Sequence, residues 1–192
     1  MRRLSLFLIV VLVISVAGPA LAKRNVEDYT QTIDKFKQSS DVLPLFSVAH
    51  AYAVFPTIGK AGLGVGAARG KGQVYLNDAV IGFTTLTDIS IGFQAGGQAY
   101  SQIIFFQDDR ALREFTSGSF EFDAEAGAIA IQAGASAKAG TEGAGAGASS
   151  GGAGGSYAGS WHKGMLVFTM AQGGLMYEAT ISGQKYSYNP VP

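Results

Sequence analysis

The chain has 192 residues, of which 14 are basic and 14 acidic, and it contains no cysteine. The absence of cysteine excludes both a disulfide framework and a thiolate metal site, so the fold must be stable through packing alone. No dense run of Lys and Arg occurs. A protein that neutralises a nucleic-acid backbone needs a basic excess on at least one face, so nucleic acid is not an expected partner.

Residues 1–22 have the order of residue types found in a cleavable secretory signal peptide. Two arginines precede an apolar run at 4–16, and alanines at 20 and 22 fit the A-x-A pattern of a cleavage site. A membrane-spanning anchor needs roughly 20 apolar residues, and a Gly-Pro pair at 18–19 interrupts this run. We therefore expect cleavage, and residues 23–192 as a single mature domain.

The expected location of the mature protein is periplasmic or secreted. It would carry 12 basic and 14 acidic residues, because the only charges in the leader are Arg2 and Arg3. With no cysteine to carry a lipid, any membrane association would be peripheral and would use the folded surface. The mature chain would begin with the basic pair Lys23 and Arg24.

Residues 25–39 are predicted to form an N-terminal amphipathic helix. Apolar residues recur at spacings of three, four and three, which places them on one stripe of the helix: Val26, Tyr29, Ile33 and Phe36. Asn25 would cap the first turn, and Lys35 and Lys37 would lie in the last. The stripe could pack on the protein core or lie in a lipid interface, where Lys35 and Lys37 would assist.

A second helix is predicted over residues 45–55, because Pro44 is suited to a helix start and Pro56 to its end. His50 falls inside this helix and is expected to be packed.

After Pro56 the pattern becomes that of strands. Residues 83–106 alternate in places, with a turn expected at Gly96 and Gly97, and the apolar run at 103–106 indicates a strand covered on both faces.

The remaining elements complete the fold class. Residues 108–115 predict a short helix, and residues 120–132 alternate with acidic residues on one face, namely Glu121, Asp123 and Glu125. Strands are expected at 164–171 and 175–182, around a glycine turn. The Gly/Ala-rich segment at 134–159 predicts a flexible loop. The expected class is α+β, a mostly antiparallel, barrel-like sheet with a few helices.

The Gly-rich segment at 60–72 resembles a phosphate-binding loop, but it fits neither the Walker pattern nor the dinucleotide-binding pattern. Val65 stands where the Walker pattern needs its first glycine, and Gly72 replaces the hydroxyl residue. The segment interleaves glycines with three cations, which are Lys60, Arg69 and Lys71. Such a segment could bind an anionic headgroup. The alternative is a Gly-rich strand or bulge whose cations point to solvent.

Nothing in the sequence favours catalysis. The two histidines, His50 and His162, have no acidic residue at metal-ligand spacing, and no nucleophile elbow is present. We expect no enzyme, no bound metal and no cofactor.

Three separated segments, at 53–72, 91–98 and 173–186, resemble the SYLF domain, a lipid-binding domain also described as an actin-regulator domain. They occur in the family's order across residues 26–188. The resemblance implies binding of phosphoinositides or other anionic lipids through basic residues and an amphipathic N-terminal helix. Of the cations, Lys60, Arg69 and Lys71 lie in the matching motif. An actin-binding role does not transfer to an exported protein.

The leading hypothesis is therefore an exported, non-catalytic module that recognises anionic phospholipid headgroups at a membrane surface. The candidate binding residues are Lys23, Arg24, Lys35, Lys37, Lys60, Arg69 and Lys71. Two alternatives remain, which are a scaffold that binds a protein of the cell envelope through the Gly/Ala-rich loop, and a small outer-membrane β-barrel.

Overall fold

The computed structural model describes residues 26–123, 126–131, 161–172, 181 and 183–192. Three helices are found there: α1 (Thr30–Lys37), α2 (Leu45–Val48) and α3 (Asp109–Phe115). The six strands are β1 (Ala51–Leu76), β2 (Ala79–Phe106), β3 (Ser119–Glu121), β4 (Ile129–Ile131), β5 (Met165–Ala171) and β6 (Lys185–Pro190). The predicted leader, the loop at 134–159 and most of the strand at 175–182 lie outside the described residues.

The strands form one sheet in the order β3-β6-β2-β5-β4, with β1 also paired to β2. Every pairing is antiparallel except that of β4 with β5. The sheet is curled as half of a barrel. The prediction of a mostly antiparallel sheet with a few helices is confirmed.

The long hairpin of β1 and β2 is the central part of the sheet. One end of β2, residues 82–87, pairs with β6, and the other end, residues 100–106, pairs with β5. Within the described ranges, residues 88–99 of β2 pair with β1 alone. In the part of the chain that the structure describes, the middle of the hairpin is therefore a two-stranded ribbon that joins the two wider parts of the sheet.

The hairpin turn lies at Asn77 and Asp78, whose φ angles of 50° and 59° are those of a tight turn with left-handed residues. The turn predicted at Gly96 and Gly97 is wrong. Both residues continue β2, opposite Gly62 and Ala61 of β1. Glycine inside a strand often marks a bend instead of a chain reversal.

The prediction of a helix over residues 45–55 is also wrong beyond its first turn. Helix α2 ends at Val48, and the strand β1 begins at Ala51 and runs through Pro56. The pairing register shifts between Phe55 and Ile58, and proline is tolerated at such bulges of an edge strand. His50, expected to be packed, is exposed.

Both faces of the sheet are covered where β1, β2 and β5 meet. Ile104 and Phe106 belong to the core cluster on the inner face, beneath α3. Ile103 and Phe105 belong to the outer cluster, beneath α1 and α2. All four side chains are fully buried. The prediction that the run at 103–106 is covered on both sides is confirmed.

The amphipathic stripe of α1 packs on the outer face of the sheet. Tyr29, Ile33 and Phe36 are buried in the cluster that contains Tyr52 and Phe105 of the sheet. Val26, the first residue of the predicted stripe, precedes the helix and is 56% exposed. The structure therefore agrees with the packed alternative for this helix. The predicted cap Asn25 lies outside the described residues.

Helix α3 begins where the sequence predicts, since the Asp108 carboxylate accepts a hydrogen bond of 2.8 Å from the backbone N–H of Ala111. We expect Asp108→Ala to lower the free energy of unfolding by about 1 kcal/mol, because that N–H loses its acceptor. Chemical denaturation measures the change. Asp109→Ala removes only an exposed ion pair with Arg113 and should cost less. Equal costs would contradict the capping role.

The strand predicted over residues 120–132 is present only as two short pieces, β3 and β4. Phe120 faces the inner core and Glu121 is exposed, as the alternation predicts. Strand β6 has no counterpart in the sequence predictions, although Tyr186 and Tyr188 alternate with polar residues.

Candidate functional site

An open groove of about 650 Å³ lies at the ribbon of β1 and β2. Its lining is mostly small residues from both strands, with two cations and two glutamines: Gly59, Lys60, Ala61, Ala67, Ala68, Arg69, Gly97, Gln98, Ala99 and Gln172. Lys60 and Arg69 are separated along β1, yet both line this groove. Two of the three cations of the Gly-rich motif thus line one groove.

The groove exists because β1 folds back towards itself. A Cβ atom built at Gly70 would lie 2.5 Å from the side chain of Ile58. One built at Gly72 would lie 2.7 Å from both the Phe55 ring and the carbonyl oxygen of Val54. Real Cβ atoms do not approach so closely, so only glycine permits this contact. Gly70 and Gly72 of the motif serve strand packing here, and the motif's backbone forms a strand ladder with β2.

Gln172, just after β5, ties the floor of the groove to the bulge in β1. Its Nε2 donates to the carbonyl oxygen of Pro56 at 2.5 Å and to the Ser101 hydroxyl at 2.8 Å. The Ser101 hydroxyl also donates to Pro56, at 2.7 Å. Pro56 has no N–H group that needs an acceptor. Its carbonyl oxygen accepts hydrogen bonds from Ser101 of β2 and from Gln172 after β5, so it links β1 to both. No pattern of residues along the chain indicates this role of Gln172.

Asp88 is a buried acid next to the groove. It pairs across the ladder with Ala68, which lines the groove, and it is 8% exposed. Burial raises the pKa of Asp88, and the positive charge of Lys60 partly opposes that rise. The carboxylate therefore reduces the positive potential of the groove whenever it is ionised.

Replacing Asp88 should make stability less dependent on pH. Because burial raises the pKa of Asp88 above its ordinary value of 3.8, the folded protein holds this proton more tightly than the unfolded chain. The wild type therefore loses stability as pH rises from that value through the folded pKa. We expect Asp88→Asn to melt at a higher temperature than the wild type at pH 7, with the difference vanishing near pH 3. A variant less stable at pH 7 would contradict this.

Beside the groove, the outer face of the sheet carries a row of cations. Arg69 and Lys71 are exposed on β1, and Arg69 lies opposite Thr87 of β2. On the other side of Thr87 lies Lys185 of β6, so Arg69 and Lys185 stand two strands apart, roughly 10 Å. Lys185 was not among the predicted site residues. Its place on this face could not be foreseen without strand β6.

Two acidic residues of the predicted strand at 120–132 are already paired, and the third, Glu125, lies outside the described residues. Glu121 lies 3.4 Å from the Nζ of Lys185. Asp123 contacts Lys163 and His162, each at 2.8 Å. The hydrogen bond from Lys163, with His162 adding to it, lowers the pKa of Asp123 to about 2. These carboxylates are thus engaged in ion pairs, and Glu121 shares the charge of Lys185.

The cations of α1 lie apart from the groove. Lys35 and Lys37 are exposed in the last turn of the helix, and the Nζ of Lys37 is 5.0 Å from the centre of the Phe46 ring. Phe46 packs on Tyr52, near the start of β1, whereas Lys60 lies in the ribbon. Lys23 and Arg24 lie outside the described residues.

On the inner side of the sheet, a network of buried polar side chains joins β2 to β6 and to the residue before β6. Gln102 donates from Nε2 to the Tyr186 hydroxyl at 2.7 Å, and the Tyr186 hydroxyl donates to Gln184 at 2.5 Å. Gln184 in turn donates to the Tyr100 hydroxyl at 3.2 Å. Burial raises the pKa of Tyr100 and of Tyr186. Their hydroxyls therefore stay protonated, and the network holds β2 and β6 together on the inner side of the sheet.

Across the described residues, no cluster of three or more His, Cys, Asp or Glu side chains could hold a metal ion. In the same part of the chain, the helices are too short or too polar to span a bilayer.

Comparison with known proteins identifies related chains. Residues 87–189 match the Ysc84 family, described as Las17-binding protein actin regulator. The chain is also 29% identical over 159 residues to beta cell expansion factor A of Aeromonas veronii. That alignment covers 82% of this chain and 52% of the relative, so the chain spans about half the length of the relative.

The family match includes the second and third of the segments noted in the sequence, at 91–98 and 173–186. It begins after the Gly-rich motif, so Lys60, Arg69 and Lys71 precede the matched range. Those three residues are therefore site candidates on the strength of their geometry and charge. Because the match extends over more than half of the chain, this protein belongs to the Ysc84 family, whose domain is also called SYLF.

Proposed function

We propose that this protein is a non-catalytic module that binds the anionic headgroups of phospholipids at its groove. The observation that carries the proposal is that Lys60 and Arg69 both line one open groove of about 650 Å³. A phosphate group is a natural ligand for such a pair, since Arg offers paired donors and Lys a mobile point charge.

The surroundings of the groove support an extended anionic partner. Lys71 and Lys185 share the outer face with Arg69, so the positive charge continues beyond the groove. The family to which the chain belongs is known as a lipid-binding and actin-regulator domain. A bilayer with anionic lipids presents many headgroups to such a face at once, and each cation near it contributes about 1 kcal/mol.

Lys35 and Lys37 form a second, smaller basic site in this proposal. The stripe of α1 is buried on the sheet, so the helix would touch a membrane through its charged face and would not insert its apolar face. Lys23 and Arg24 would extend this site after cleavage of the leader. The proposal places the mature domain, residues 23–192, in the periplasm or outside the cell, in peripheral contact with a membrane.

Sedimentation with vesicles tests the proposal. The purified protein should sediment with vesicles of phosphatidylcholine that contain phosphatidylglycerol, and should remain in solution with vesicles of phosphatidylcholine alone. Raising the salt concentration should release it, because exposed charges are screened. Equal binding to both vesicle types would refute the electrostatic mechanism. Native mass spectrometry of the purified protein would show whether a lipid copurifies.

A further inference from the structure

We infer that Ile89 enters the bilayer when this protein binds an anionic membrane, and that the outer face of the β1–β2 hairpin, at the end of the ribbon and next to it, is the membrane-contacting surface. The inference rests on the proposed function and adds the residue and the face that touch the lipid. That face is defined by Ala67, Arg69, Lys71, Thr85, Thr87 and Ile89.

The first step is the exposure of Ile89. Among the described residues, four large apolar side chains are more than half exposed, and Ile89 is the most exposed, at 80%. Along the outer positions of β2, Phe83 is 7% exposed and Thr87 is exposed. The outer face therefore opens progressively towards the ribbon, and Ile89 stands where it is most open.

The second step concerns the residues that surround Ile89. It lies opposite Ala67, which lines the groove, and diagonal to Arg69 on the same face. Lys71 follows two residues beyond Arg69. A single exposed apolar side chain is common on soluble proteins. Peripheral proteins bind anionic membranes through such a combination of an apolar side chain and cations, because the free energies of apolar burial and of charge attraction add.

The third step excludes the other apolar candidates. The stripe of α1 is occupied by the sheet, and Val26 precedes that helix beside Glu27 and Asp28. Leu43 and Val48 are 51% and 68% exposed, and the segment around them carries two acidic residues, Asp34 and Asp41, as well as Lys35 and Lys37. These acidic residues make the smaller basic site of α1 less attractive to an anionic surface than the face that carries Arg69, Lys71 and Ile89.

Fluorescent labelling tests the inference directly, because the chain contains no cysteine and a single introduced thiol is unique. The variants Ile89→Cys and Val48→Cys, each carrying the environment-sensitive dye NBD, are mixed with vesicles containing phosphatidylglycerol. We expect the emission at position 89 to shift to the blue and to be quenched by lipids with a spin label in the acyl chain. Emission at position 48 should not change. A shift at position 48 with none at 89, or equal shifts at both, would overturn the inference.

Affinity separates this inference from the proposed function. Ile89→Ser should weaken binding to these vesicles roughly tenfold or more, since an isoleucine side chain no longer enters the lipid, and Val48→Ser should not. If Ile89→Ser binds as tightly as the wild type and salt still releases both, the insertion of Ile89 is refuted while the headgroup site stands. If the wild type does not sediment with anionic vesicles, both fail.

Discussion

Reversing the charges of Lys60 and Arg69 together is expected to weaken binding to phosphatidylglycerol-containing vesicles by at least roughly thirtyfold. Each cation at an anionic membrane surface contributes about 1 kcal/mol, and losing two such contributions costs about 2 kcal/mol before any repulsion is added. Co-sedimentation at low salt over a range of lipid concentrations measures the change.

Two further variants make this result specific. Lys60→Gln with Arg69→Gln removes the charges without placing a new acid beside Asp88, and should show a smaller loss of affinity in the same direction. Lys35→Glu with Lys37→Glu makes the same change of net charge on α1, away from the groove. If the α1 variant loses as much affinity as the groove variant, net charge decides binding and the groove has no special role. Thermal melting of each variant verifies that the fold is retained.

Gly72→Ala is expected to lower the free energy of unfolding by about 1–3 kcal/mol, as overpacking of a core does. The added methyl group would lie 2.7 Å from the carbonyl oxygen of Val54, and a backbone atom of a paired strand cannot move aside easily. The matched control is Gly59→Ala, because a Cβ atom at Gly59 meets no atom within 4 Å. Chemical denaturation of the two variants should show a loss of stability for Gly72→Ala alone.

The same pair of variants distinguishes two roles for the Gly-rich motif. If its glycines exist to expose backbone N–H groups to a phosphate, Gly59→Ala at the groove should weaken vesicle binding while stability is unchanged. If they exist for packing, as the contacts of Gly70 and Gly72 indicate, Gly59→Ala should bind normally. Equal stability losses in both variants would contradict the close approach of the two halves of β1.

Much of the fold can be predicted from the sequence, because it follows from local patterns of apolar and polar residues. The alternation of Phe120 and Glu121 fixes which side chain faces the core, and Asp108 marks the start of α3. The continuous apolar run at 103–106 indicates burial on both faces. Each of these signals arises from the period of the side chains or from a single cap, so no knowledge of distant residues is needed.

The errors arise where distant residues overrule the local signal. Pro56 resembles a helix end, yet it lies in a strand because β2 supplies a ladder with a bulge at that point and Gln172 binds its carbonyl. Gly96 and Gly97 resemble a turn, yet they continue β2 because Gly62 and Ala61 lie opposite. Proline and glycine restrict or free the backbone, but the partner strand decides which conformation is used.

By itself the sequence determined the family, the cations of the Gly-rich motif and the amphipathic character of α1. Only the tertiary structure decided that Lys60 and Arg69 share a groove, that Lys185 lies on the same face as Arg69, and that the stripe of α1 is covered. The physical reason is that residue types and periods are local properties, whereas the spacing of charges depends on strand pairing across the whole chain. The curl of β1, made possible by Gly70 and Gly72, sets that spacing.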